Sequence, residues 1–173
     1  MTIYTTLNRI RAASPCADGW TKLLRSLNKT APDDEPLPFA HIVESNGLGD
    51  ALWCCRTAPE HDREWRLYAV WCARRMQHLM TDERSIAALD VAERYANGEA
   101  TDEEREAAGE AALEAALEAS SEAALEAAWA AARAAAWAAA WEAAWEAAGA
   151  TAGATAGEAE RSAQTSHFLE TVR

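Results

Sequence analysis

The segment His61 to Met80, HDREWRLYAVWCARRMQHLM, holds the side chains best suited to chemistry. It carries four arginines, two tryptophans, a tyrosine and two histidines, with no glycine or proline. Guanidinium groups fork onto phosphate or carboxylate oxygens, and an indole stacks on a planar ring or a cation. Arg63, Arg66, Trp71, Arg74 and His78 therefore make a candidate ligand-binding set for an anionic small molecule of the nucleotide type. The same arginines can instead pair internally with Asp62, Glu64 or an acid elsewhere in the chain. A second constellation lies downstream: Trp129, Trp137, Trp141 and Trp145, with Arg133 among them. Tryptophan and arginine are favoured anchors of protein interfaces, so these five are a candidate interface. They serve equally as large fillers between alanine helices.

Other chemistry is not spelled out. No paired carboxylates set for acid–base work and no phosphate-cradling glycine loop are recognisable, so no catalytic residues are assigned. His61 and His78 stand seventeen residues apart with no further ligand spacing around them, and neither a metal nor a cofactor is expected. Cys16, Cys54, Cys55 and Cys72 fit neither a CxxC pattern nor a small disulfide scaffold, which points to reduced thiols in a cytoplasmic protein. The opening MTIYTTLNRIR lacks the apolar run of an export signal.

Helical periodicity must position these groups. At about 100° per residue, Trp65, Tyr68, Cys72, Met76 and Leu79 share one stripe of a 61–80 helix. Arg63, Leu67, Val70, Trp71, Arg74 and His78 share another, roughly opposite. Only Asp62, Arg66, Ala69, Ala73 and Gln77 look suited to water. A helix apolar on two sides belongs at the centre of its bundle, with Arg63, Arg74 and His78 partly buried. Upstream, the chain reads as a helix from Ile3 to Ala12, a second capped by Asp18, a proline-rich linker from Lys29 to Pro38, a helix from Phe39 closed by Ser45-Asn46-Gly47, and another capped by Asp50. Thr81 caps a helix ending at Asn97-Gly98, and Thr101 with Glu104 makes a capping box that opens the alanine-rich second half.

That half is a four-residue repeat. One position in four is Leu, Trp, Ser, Arg or Gly from Leu113 to Gly157, and glutamate often comes next. Four residues rotate about 400°, so the stripe drifts about 40° per step and no single straight helix presses all of it on one neighbour. A break near Ser120-Ser121 is expected, giving two helices, then a loop over 151–157 and a last helix from Glu158 to Val172 with Phe168 and Leu169 docking. Net charge is −12, of which residues 1–100 carry −2 and residues 101–173 carry −10. An acidic tail disfavours nucleic acid and anionic membrane. Ala127 to Trp141 is short for a membrane span and holds Arg133.

Residues 48–104, above all ALWCCR, AVWCARRMQHLM and ALDVAERYANGEATDEE, resemble the alanine-rich immunity protein family found in phages and prophages, whose members also continue into an Ala/Trp/Arg/Glu repeat. The resemblance implies an all-helical fold and a role in phage–host or toxin–immunity conflict; the place expected for the protein is the host bacterial cytoplasm. It supplies no catalytic residues.

The fold class expected is thus all-α: one helical domain over 1–173, a compact bundle around the two-sided 61–80 helix. Its parts are a mixed-charge region (1–100), tetrad-repeat helices (101–148) and a glycine loop with a short terminal helix (149–173). The expected function is non-enzymatic: stoichiometric sequestration of an anionic nucleotide-type signal. One alternative is an acidic inhibitor that blocks a toxin or defence effector; a second is a structural helical protein that forms homo-oligomers.

Overall fold

A computed structural model of the chain describes residues 2–136, 140–154 and 157–173. The fold is all-α: among the described residues, ten α-helices accompany a two-residue-wide β ribbon and three short 3₁₀ turns. The chain divides into two compact units, one of Met1–His61 with Thr165–Arg173 and one of Asp62–Gln164.

The first unit is built around its own ends. Strands β1 (Tyr4–Thr5) and β2 (Leu37–Pro38) pair antiparallel, Tyr4 opposite Pro38 and Thr5 opposite Leu37. The helix expected from Ile3 begins later, as α1 (Leu7–Ala12), capped by the Thr6 hydroxyl, which accepts from the Arg9 N–H. Non-local backbone bonds outcompete helix there: the Ile3 N–H donates to the Val172 carbonyl at 3.0 Å, and the Ile3 carbonyl accepts from the Phe39 N–H at 3.2 Å. Helix α2 (Ala17–Ser26) is capped by the Cys16 sulfur, and Asp18 sits in its first turn instead. Helices α3 (Phe39–Asn46) and α4 (Leu48–Cys54) meet at Gly47, whose φ of +100° suits a residue without a side chain. That glycine occupies the position expected of the Asp50 cap; Asp50 lies one turn in and accepts from the Asn46 amide at 2.7 Å. Helix α10 (Glu158–Val172) matches its sequence bounds, and its second half buries Phe168 and Val172 fully in this unit. The Phe168 ring lies 6.4 Å from that of Phe39.

The second unit has α5 (Asp62–Arg74) at its centre, packed against α6 (Glu83–Ala96), α8 (Glu122–Ala136) and α9 (Ala140–Ala154). Trp65, Tyr68, Cys72 and Met76 are buried along the predicted inner stripe. Two features of that helix differ from expectation. It stops at Arg74 rather than Met80, because the N–H groups of Arg75 and Met76 bond three residues back, to Cys72 and Ala73, and the chain tightens into a 3₁₀ turn over Gln77–Leu79. The strip assigned to water is also largely inside: Arg66, Ala69 and Ala73 are buried, whereas Arg63 and His78 are exposed. A helix with three neighbours has little wet surface, and alanine lets those neighbours come close.

Helix α6 is capped one residue later than expected, by Asp82, whose carboxylate accepts from the Arg84 N–H at 2.9 Å. Helix α7 (Asp102–Leu117) opens with the predicted Thr101–Glu104 capping box. It ends just before Ser120-Ser121, where the break was expected, and the Ser121 hydroxyl accepts from the Ala124 N–H at the start of α8. The repeat makes three helices rather than two, because α8 and α9 are separate and pack on one another. Helix α9 also continues to Ala154, so the first four residues of the expected 151–157 loop are helical; residues 155–156 lie outside the described residues, and Gly157 turns with φ +56°. Alanine supplies the core itself: Ala88, Ala92, Ala112, Ala132 and Ala135 cluster with Val70. No helix among the described residues is long and apolar enough to cross a membrane.

Two substitutions test this packing. Phe168→Ala should lower the unfolding free energy by about 3–5 kcal/mol, as an emptied aromatic site does, read from urea midpoints by circular dichroism. Ser85 Oγ is fully buried without a hydrogen-bond partner, so Ser85→Ala should leave stability unchanged or raise it by about 1 kcal/mol; a loss of that size would mean the hydroxyl is bonded.

Candidate functional site

The five residues of the expected anion site are divided among separate tasks. Three arginines of α5 reach α6. The Arg63 guanidinium donates to the Asn97 side-chain oxygen at 2.8 Å and lies 3.8 Å from Glu64. Arg66, buried, holds its guanidinium 4.8 Å from the centre of the Tyr95 ring, and burial pulls its pKa below the usual arginine value. Arg74 donates to Asp90 at 2.9 Å and to Glu93 at 2.7 Å. Partial burial works against its charge, but the two carboxylates outweigh that and raise its pKa. Trp71 faces elsewhere: it stacks on Tyr68 at 6.2 Å between ring centres, and Arg75, which donates to the buried Glu160 at 2.6 Å, lies over it at 5.0 Å. His78 is exposed on the 3₁₀ turn. The arginines lace α5 to its neighbours, and none of the five residues lines the cavity of the tetrad repeat.

A cavity does open in the tetrad repeat. It has a volume of about 520 Å³ and is walled by three helices: Glu106, Gly109, Glu110 and Leu113 from α7, Trp129, Ala132 and Arg133 from α8, and Glu146 from α9. Periodicity explains who points in. Glu106, Gly109, Glu110 and Leu113 are three and four residues apart, the spacing of one helix face, and so are Trp129, Ala132 and Arg133. Gly109, which is buried, lines the cavity with backbone alone. The Arg133 guanidinium lies 5.4 Å from the Trp129 ring centre and 3.4 Å from Glu146. Both ends of that ion pair are about one-third exposed. Glu106 lies 3.3 Å from Arg105, while Glu110 makes no ion pair among the described residues. Three carboxylates and one guanidinium thus share the lining with an indole and a leucine, a composition suited to holding a cation with an apolar stem. Among the described residues, the walls offer no hydroxyl, thiol or imidazole.

Comparison with protein-family models, curated proteins and solved structures finds no match to this chain.

Of the candidate interface residues, Trp129 and Arg133 line the cavity; Trp141 is half-buried and Trp145 is 40% exposed on α9, and Trp137 lies outside the described residues. Sequence reasoning treats the glutamate at every fourth position as a solvated face and so misses Glu106, Glu110 and Glu146. The available signal was Gly109, a glycine in the register that Leu113 and Leu117 continue. Next to Glu106 in the chain, Arg105 is buried and joins α7 to α8: its guanidinium donates to the Ala135 carbonyl in the last turn of α8 at 2.9 Å and lies 5.2 Å from the Tyr95 ring centre. A cation at a helix C-terminus satisfies a carbonyl that has no partner within the helix.

No cluster of metal-ligating side chains occurs among the described residues. All four cysteines are free thiols, Cys16 exposed and the others buried. Burial pushes the Cys54 and Cys72 thiols up to about 12 and that of Cys55 well above its ordinary value. At pH 8 a thiol of pKa near 12 is ionised in about one molecule in ten thousand. A thiol-specific disulfide reagent should therefore titrate one cysteine promptly in the folded protein and all four in denaturant; a Cys16→Ser variant should show no prompt reaction.

Proposed function

We propose that this chain is a non-catalytic immunity or counter-defence protein that acts by binding, and that the acidic face of α7 and α9 engages a basic toxin or defence effector. The observation that carries it is the cavity lining: three carboxylates and a tryptophan, in a region of net charge −10, against one resident guanidinium. Such a surface speeds encounter with a basic partner and disfavours acidic ones. Leu113, 38% exposed, and Leu117, 73% exposed, lie one turn apart on α7 and offer apolar area beside those charges. Apolar contact ringed by charge is the usual make-up of a transient interface. The setting in phage or toxin conflict rests on the resemblance of residues 48–104.

Sequestration of an anionic nucleotide draws less support. Arg74, which would grip the phosphate, already has two carboxylates within 3 Å, and an entering anion would have to displace both.

The test is binding of a fluorescein-labelled amphipathic peptide rich in arginine and leucine, followed by anisotropy, with an acidic peptide of equal length as control. The basic peptide should bind and weaken as salt rises from about 50 to 200 mM. Joint replacement Glu106→Gln, Glu110→Gln and Glu146→Gln should cost at least about tenfold in affinity. Absence of binding by the basic peptide, or indifference to those replacements, would reject the proposal. So would a melting-temperature rise with a cyclic dinucleotide or an ADP-ribose derivative that Arg74→Ala abolishes, because a ligand in excess stabilises the form it binds.

A further inference from the structure

We infer that the cavity is a guanidinium site whose present occupant is the chain's own Arg133, so that an arginine side chain of the partner binds by taking that place. The inference rests on the binding role proposed above and adds the chemical class of the group recognised.

The observations are geometric. Arg133 and Trp129 are four residues apart on α8, and the guanidinium lies 5.4 Å from the indole centre while reaching Glu146 of α9 at 3.4 Å. A planar cation over an aromatic ring and beside a carboxylate is the arrangement in which arginine outperforms lysine, whose ammonium is compact and strongly hydrated. The cavity thus already displays, with its own residue, the interaction it can offer a visitor. Its occupant is loosely held. At 3.4 Å the contact is longer than a strong charged hydrogen bond, and both partners remain about one-third open to water. Pairs of that kind contribute little net free energy, so exchange costs little. Charge then favours a newcomer: Arg133 pairs with Glu146 and Arg105 with Glu106, while Glu110 has no ion pair among the described residues and is the carboxylate open to a second cation. The volume of about 520 Å³ is ample for an added side chain with its stem against Leu113. Once displaced, Arg133 can swing to solvent, since its side chain is long and already a third exposed.

The experiment compares two labelled peptides that differ only in having arginine or lysine at every basic position, titrated into the wild-type protein and into Arg133→Gln. Wild type should prefer the arginine peptide. Arg133→Gln, by removing the internal competitor while keeping a polar side chain in its place, should raise affinity for the arginine peptide by about threefold or more. In arginine-labelled protein, the Arg133 Nε–H resonance should move on addition of the arginine peptide, a readout independent of the variant. Equal binding of the two peptides, an affinity lowered or unchanged by Arg133→Gln, or an Arg133 resonance that stays put would overturn the self-ligand inference while leaving the acidic-face interaction standing. Failure of both peptides to bind wild type would instead remove the interaction itself.

Discussion

The second unit depends on a mismatch between two periods. The repeat returns every four residues, whereas the helix turns every 3.6, so each successive large residue is rotated about 40° from the last. A helix obeying this pattern for its whole length would carry its leucines and tryptophans right around its axis. The chain resolves the conflict by stopping: α7 ends at Leu117, α8 starts at Glu122, and α9 is a further separate helix. Each piece then uses an arc narrow enough to face its neighbours. Alanine makes that possible, because helices lined with it approach closely and the core is filled largely by backbone and methyl groups. The cavity opens where α7, α8 and α9 meet, with Gly109, Leu113 and Trp129 among its lining residues.

Charge is partitioned by the same architecture. The cations of α5 and the turn after it are spent on neighbours: Arg63 on the Asn97 side chain, Arg74 on two carboxylates of α6, Arg66 on the Tyr95 ring, and Arg75 on Glu160. Arg105 caps the α8 carbonyl at Ala135 from the inside. Several glutamates of α7 and α9 also have an arginine beside them, Glu104 with Arg94, Glu106 with Arg105, Glu114 with Arg84 and Glu146 with Arg133, yet the region of residues 101–173 still carries a net charge of −10. Arginines that bridge neighbouring helices and a second half that remains acidic are two sides of one distribution.

The sequence and the structure part company at places with a common cause. The 61–80 segment has an amphipathic pattern on two faces, and the pattern is right about Trp65, Tyr68, Cys72 and Met76. It is silent about how many helices surround α5, and that number decides whether Arg66, Ala69 and Ala73 see water. The caps show the same limit. The Thr101–Glu104 box and the Asn97-Gly98 stop are local bargains struck within a few residues, and both occur as written. At Ile3 the backbone bonds to Val172 and Phe39, and no window along the chain could reveal partners so distant.

The chain by itself determines the material of the fold: helices from alanine and the leucine and tryptophan spacing, breaks from serine, glycine and proline, and an acidic second half. Those properties arise from short-range sterics and from counting charges. Tertiary structure alone decided that α8 and α9 are distinct, that the arginines of α5 are consumed by its neighbours, and that Glu106, Glu110 and Glu146 meet Trp129 and Arg133 around one cavity. The physical reason is that burial and pairing depend on which surfaces are brought together across dozens of residues. A repeat in which one alanine helix looks much like the next does not encode that choice in any single stretch.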